Sequence, residues 1–403
     1  MITKYAPGPD RTDVISMATC GFPFTTRLAR RVKTRLRKCS QVDTDPDYCF
    51  FEPANHDIDY TADDILRAAP FRPDAVFLHW VSGFIHSGIA RDIQIRTGAV
   101  IFQYLVDMAA FTGGCHYSWD CRGYEEQCGC CPGLHSSDPN DLTYRNLLRK
   151  GRDVTETRTV VIAPSGHLFR QAGRSSLFKD KPVYQIPIGL DAGIFKPLDK
   201  AAGRVVFGLP PGDKVIFLGS LQPSEKRKGG LQLGEALKLL HQSLSHVERE
   251  RTSLLVAGDP QKSHQVLAEA PFKKCFAGYL PDDRLLALAY QASTLYLCPS
   301  IEDSGPMMIN EAIMCGTPVV AFRMGVAEDL VIPGETGYLA ELRNASGLAK
   351  ATESVLKLSP DEYRRMSESA RNLGTTRLSY QAQREALERL FEEFVQPDLR
   401  AVP

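Results

Sequence analysis

Two successive series of short β-rich runs alternate with helical patterns along this chain. Strands that alternate with helices pair in parallel and carry the helices on their faces, so the pattern predicts an α/β fold. In the first series, strands are expected near Val14–Ala18, Ala75–His79, Val100–Leu105 and Val160–Ala163. In the second they are expected near Lys214–Leu218, Ser253–Ala257, Leu295–Leu297 and Pro318–Phe322, with helices over Leu231–Leu240 and Asp283–Ala292. The chain has 403 residues, too many for one hydrophobic core and enough for two. The two series therefore predict two Rossmann-like, doubly wound domains, over residues 1–185 and 212–375. The stretch 186–211, with Pro187, Pro197, Pro210 and Pro211, reads as the linker. A last amphipathic pattern, Tyr380–Phe394, lies in a terminal segment, 376–403, expected to pack back on the first domain.

Composition narrows the function. Lys plus Arg equals Asp plus Glu, 48 of each, so the global basic field of a nucleic-acid binder is absent. Met1–Pro9 lacks a basic segment followed by an apolar one, and no apolar run reaches bilayer length. The expectation is a cytoplasmic protein. In open α/β sheets, ligands bind beyond the carboxyl ends of the strands. The loops that follow strands, facing across an interdomain cleft, are therefore where chemistry is expected.

The segment Cys298–Phe322 reads strand, loop, helix, Gly316 as helix end, then strand. Its loop, Glu302–Pro306, opens the helix, whose first N–H groups and positive dipole end suit an anion. Asp303 and Glu311 lie eight residues apart, and carboxylates accept several hydrogen bonds from a hydroxyl-rich ligand. An ordinary helix start with acidic residues near it is the plainer reading. Upstream, Glu225-Lys-Arg-Lys-Gly-Gly230 sets cations after a strand, and a solvated loop is its plainer reading.

These residues resemble the E-x7-E region and its flanks in retaining glycosyltransferase family four. The resemblance covers most of residues 160–345 and implies the GT-B fold. Asp303 stands where that family usually has its first Glu, with Glu302 beside it, and Glu311 stands at the second. The implied roles are contacts to hydroxyls of the donor sugar for Asp303 and of the nucleotide ribose for Glu311. Lys228 matches the lysine that binds diphosphate, with Arg227 as helper, while Ser220 replaces an Arg frequent in the family. Gly305, Pro306 and Met307 would lie near sugar and phosphate. Tyr279, in Ala277–Leu286, falls in the turn that receives the base. In the first βα turn, Thr19–Pro23, a usual Gly-Gly pair is reduced to Gly21.

The first domain resembles a subset of the same family found in polysaccharide assembly, through Phe77–Gly83, Asp107–Ser118 and Cys121–Pro132. That subset usually has His before Asp107, where this chain has Val106. The resemblance implies that Asp107 and His116 border the acceptor and share the catalytic work. Asp107 also reads as a helix or turn cap, and His116 as a loop residue or metal ligand. The implied reaction moves a sugar from a nucleoside diphosphate to a sugar or lipid-linked acceptor hydroxyl, with retention and without a catalytic cofactor. Two other readings stay open: a sugar-nucleotide epimerase, and a protein that binds a nucleotide sugar without transferring it.

Two clusters stand apart. Cys115, Cys121, Cys128 and Cys131 give C-x5-C-x6-C-x2-C, with Cys130 between the last two. Four thiolates on one loop suit a structural zinc ion, and disulfides are the rival. Thr25–Lys38 carries no acidic residue, and Phe24, Leu28, Val32 and Leu36 form one apolar stripe. It reads as an amphipathic helix on the first sheet, or as a basic face meeting anionic lipid or a lipid-diphosphate acceptor at the inner face of the membrane.

Overall fold

The apolar runs form the strands. In the computed structural model, which describes residues 2–3, 15–17, 43–49, 60–220 and 222–395, the chain divides into two compact units. The first comprises residues 1–163, 168–185 and 390–403; the second comprises 164–167 and 186–389.

The first unit holds a four-stranded parallel sheet in sequential order: β3 (Ala75–Leu78), β4 (Val100–Tyr104), β5 (Thr159–Ala163) and β6 (Val183–Gln185). A separate parallel pair joins β1 (Ile2–Thr3) to β2 (Ile15–Ser16). Every residue of β5 is buried, as expected of a central parallel strand covered on both faces. Helix α1 (Ser87–Thr97) packs Ile89 and Ile93 against Ile101 of β4. Helix α2 (Leu142–Thr155) is capped by Asp141, whose side chain accepts from the N–H groups of Thr143 and Tyr144. Phe111 meets Tyr124 and Phe178 edge to face inside the core.

The second unit is a six-stranded parallel sheet in the order β12-β11-β10-β7-β8-β9. Its strands are β7 (Lys214–Ser220), β8 (Thr252–Gly258), β9 (Lys273–Gly278), β10 (Leu295–Cys298), β11 (Val319–Phe322) and β12 (Gly337–Ala340). β8, β10 and β11 are buried along their whole length. The core joins Val215, Phe217, Leu255, Tyr290 and Ile313. Burying each such side chain contributes about 1.5–3 kcal/mol. Helices α3 (Gly230–Ser243), α4 (Asp283–Ala292) and α5 (Met307–Met314) each follow a strand and its loop. Helix α6 (Pro360–Arg377) starts with a Ser359/Glu362 capping box and Pro360 at its first turn. Its Arg371 donates to the carbonyls of Met314 (2.5 Å) and Phe195 (2.7 Å), fixing the end of α5.

The proline-rich stretch expected to be a linker instead belongs to the second unit from Ile186 onward and contains a helix, Lys200–Val206. Helix α7 (Tyr380–Phe394) has the predicted limits, but only its last turn, from Leu390, counts with the first unit. There the Tyr184 hydroxyl donates to Glu393 (2.8 Å) and the Arg158 guanidinium to the Phe394 carbonyl (3.0 Å).

Candidate functional site

The loop after β7 ends in a single 3₁₀ turn, Lys226–Lys228, closed by Gly229 at φ 68°. Only glycine serves there, because the conformation is left-handed and an added Cβ would strike the Pro299 carbonyl. The close approach has a purpose in the hydrogen bonding. The Arg227 carbonyl accepts from the N–H groups of Ile301 (2.8 Å) and Glu302 (3.2 Å), tying the cationic turn to the loop after β10. Arg227 and Lys228 thereby come to line a cavity of about 380 Å³ at the carboxyl ends of β7, β8 and β10. Its wall is otherwise largely apolar, from residues such as Leu218, Val256 and Leu267. Pro306, Met307 and Met308 close one side of it, and α5 begins there with no side-chain cap on its first N–H groups. A cationic turn and an uncapped helix start on one cavity suit an anion such as phosphate.

Asp303 is buried and faces the cations instead of forming part of that wall. Its Oδ2 accepts from Lys228 Nζ at 2.5 Å and from Arg227 at 2.9 Å. Its Oδ1 accepts the Gly305 N–H at 3.2 Å, so Gly305 serves here as the backbone donor to Asp303. Arg227 also meets Glu225 at 2.7 Å. The Ser304 carbonyl accepts from the Ser165 hydroxyl (2.9 Å), which steadies the same loop. Glu311 lies outside the cavity wall and accepts from the Tyr290 hydroxyl at 2.7 Å. Burial pushes the Glu311 carboxyl up to about 7, against the smaller opposing effect of that hydrogen bond. Tyr279 stands exposed just past β9 and Gly278 and is not part of the wall. Gly21 lies outside the described residues, as does the basic stretch 25–38.

Sequence reasoning passed over two features here. One is Tyr290, whose signal was a lone hydroxyl in an otherwise apolar helix stretch. The other is Met308, packed over Gly219 at the end of β7, where any Cβ would collide with the thioether.

In the first unit Asp107 follows β4 and lines a smaller cavity, about 80 Å³, with His79, Trp80, Gln103 and Val106. His116 Nδ1 lies 2.5 Å from Asp107 Oδ2, and Asp107 Oδ1 accepts the Ala109 N–H at 2.8 Å. The structure thus brings Asp107 and His116, both singled out in the sequence, into direct contact. His116 is buried and absent from the cavity wall, so it holds Asp107 and does not border the space beside Val106. The exposed imidazole at that wall is His79, at the carboxyl end of β3, and surrounding protein lowers its pKa by desolvation. The loop is braced from behind. Buried Lys150 donates to the carbonyls of Ala109 (2.8 Å) and Thr112 (3.0 Å), and Asn146 donates to that of Gly113 (3.0 Å). Gly113 is required because helix α2 runs so close that a Cβ would strike Thr143.

Cys115, Cys121, Cys128 and Cys131 line a third, small space of about 20 Å³, and none of the four is disulfide-linked. Cys130 is exposed and its thiol turns to the Ser137 carbonyl, which separates it from the other four. Burial, then the neighbouring sulfurs, push the Cys128 thiol up to about 11, and burial raises Cys131. Among the described residues no group of three or more Cys, His, Asp or Glu side chains is placed to hold a metal ion. Also among the described residues, no helix is long and apolar enough to cross a membrane.

The architecture is that of the GT-B fold, two parallel-sheet α/β units, and the comparisons with known proteins agree. The sucrose-phosphate synthase of Thermosynechococcus elongatus superposes with a TM-score of 0.61 at 19% identity, over 82% of this chain and 77% of that one. Anabaena HepE, solved in complex with UDP-glucose, superposes with a TM-score of 0.54 at 18% identity, over 78% of each chain. Within the second unit, residues 205–373 match the family model described as glycosyl transferases group 1. The D-inositol 3-phosphate glycosyltransferase of Acidothermus cellulolyticus is 30% identical over 182 residues, 42% of this chain and 40% of that protein. The match thus spans well under half the length of that relative.

Proposed function

We propose that the protein is a retaining glycosyltransferase that takes a hexose from a nucleoside-diphosphate donor and passes it to the hydroxyl of a sugar or lipid-linked acceptor, in polysaccharide or glycoconjugate assembly. The observation that carries this reading is the placing of Arg227 and Lys228 on the large cavity of the unit that matches the group 1 family. In the reaction, the bond between the anomeric carbon and the diphosphate oxygen breaks and a bond to the acceptor oxygen forms on the same face. The acceptor proton passes to the leaving diphosphate. Negative charge builds on that diphosphate, and Lys228 and Arg227 are the preorganised cations that stabilise it. Asp107, held in one orientation by His116 and the Ala109 N–H, supplies the acceptor side with a fixed hydrogen-bond acceptor. Glu311 is assigned to the ribose. UDP-glucose, bound by a protein of the same fold, is the first donor to test.

The experiment is a thermal-unfolding screen over nucleotide sugars, followed by an assay of nucleoside-diphosphate release. A ligand that binds only the folded state raises the midpoint by mass action. The expected result is stabilisation by one nucleotide sugar and release that depends on added acceptor. Conversion to a new nucleotide sugar without acceptor would make the protein an epimerase. Binding with no turnover on any acceptor would make it a binding protein. No stabilisation by any nucleotide would overturn the donor site itself.

A further inference from the structure

We propose that Asp303 is a built-in competitor for the donor's diphosphate: it neutralises Lys228 and Arg227 when no nucleotide is bound and hastens loss of the free nucleoside diphosphate after transfer. The inference rests on the donor-site reading above and adds to it a determinant of product selectivity.

The geometry supports it in three ways. First, a single carboxylate oxygen takes both cations, Lys228 at 2.5 Å and Arg227 at 2.9 Å, so an arriving phosphate must share or displace it. Second, both cations are already ion-paired. Arg227 and Lys228 face Asp303 and Glu225, two positive and two negative groups in direct contact. An arriving anion therefore meets cations that already hold carboxylates. Third, the carboxylate is fixed. Its other oxygen accepts the Gly305 N–H, and the residue is only 7% exposed, so it cannot swing into solvent when phosphate enters.

A fixed carboxylate treats donor and product differently. A nucleotide sugar carries no terminal phosphate, and its sugar offers hydroxyl donors to an acceptor-only group. Transfer removes those hydroxyls. It leaves a terminal phosphate that adds charge near neutral pH, since its second ionisation lies at about 6. Asp303 therefore attracts the substrate's sugar and repels the product's new anion.

Isothermal titration with the full-length protein tests this, using the nucleoside diphosphate of the donor, inorganic pyrophosphate and the nucleotide sugar. Asp303→Asn keeps an acceptor for the Gly305 N–H and removes the charge. It is expected to tighten both the nucleoside diphosphate and pyrophosphate about tenfold or more, the scale of one charge-assisted contact. The nucleotide sugar should gain less, or lose. Adding Lys228→Ala should erase the gain. Asp303→Ser, smaller and also neutral, should reproduce the direction if the amide does not fold. Unchanged or weaker nucleoside-diphosphate binding in the folded neutral variants, with the unmodified protein binding it, would overturn the proposal. If the unmodified protein binds no nucleoside diphosphate at all, it is the donor site that fails.

Discussion

The two units each bring a carboxylate against a basic partner, and they do so in opposite ways. In the second unit Asp303 meets Lys228 and Arg227, whose side chains remain 21% and 14% exposed beside a cavity of about 380 Å³. In the first, Asp107 meets His116, whose side chain is only 6% exposed, beside a cavity of about 80 Å³. The first-unit loop is braced by Lys150, Asn146 and the close approach of Gly113 to helix α2. A pair with room and solvent beside it can exchange one partner for an incoming anion. A pair enclosed and braced can only hold an orientation. Under the proposed function, the contrast assigns binding energy to one unit and positioning to the other.

The sharpest way to break that contrast is to neutralise the positioned carboxylate. Asp107→Asn should lower acceptor-dependent turnover about a hundredfold, the lower end for loss of a positioned polar group in the transition state. Nucleotide affinity, measured by calorimetry, should not change. A fall in nucleotide affinity of the same size would mean that the two units do not divide the work in this way.

Lys228→Ala tests the other half and should have the next largest effect. Losing one charge-assisted contact weakens nucleoside-diphosphate binding by roughly 1.5–3 kcal/mol. The unfolding midpoint should move little, because Arg227 and the Gly305 N–H still hold the buried Asp303 carboxylate. Unaltered affinity would remove Lys228 from the diphosphate site.

The same contrast runs through what could be read before any coordinates. The eight predicted strands all coincide with observed ones, and α4 and α7 have the predicted limits. Besides β1 of the separate pair, three strands escaped notice, β6, β9 and β12, and these are sheet edges. Their residues are half-exposed, so they lack the continuous apolar run that marks β5 or β8. Pro187 to Pro211 misled for a related reason. Prolines there mark breaks between short pieces of the second unit, and composition alone does not distinguish that from a linker. At the sites, Lys228, Arg227 and Asp303 stood out because their spacing resembles a family pattern, but their direct ion pairing was not legible. It depends on the approach of Gly229 to Pro299, seventy residues away by number. That His116 pairs with Asp107, and that only Asp107 faces the cavity, depends on side-chain direction, which the sequence does not carry.

The smallest expected effect concerns Glu311, which shares neither arrangement: it is mostly buried against a neutral partner, the Tyr290 hydroxyl, at 2.7 Å. Burial raises its carboxyl from 4.5 to about 7. In the folded chain it therefore holds its proton more tightly than in the unfolded one. Between about pH 4.5 and pH 7 the folded state binds the extra proton, so this group's contribution makes stability fall as pH rises through that window. The cost is fully present above about pH 7 and absent below about 4.5. Glu311→Gln keeps an oxygen for Tyr290 and cannot ionise. At pH 8 the variant should be the more stable by about 1 kcal/mol, discounted for the group's partial exposure, and at pH 4.5 the two should coincide. Thermal unfolding across this range measures it, and parallel curves would show that Glu311 does not titrate in the window. Saturating nucleoside diphosphate adds a second arm. Ribose hydroxyls donating to Glu311 favour the carboxylate, so bound nucleotide should flatten the slope of the unmodified protein and leave the variant's unchanged. A slope that persists with nucleotide bound would place the ribose elsewhere.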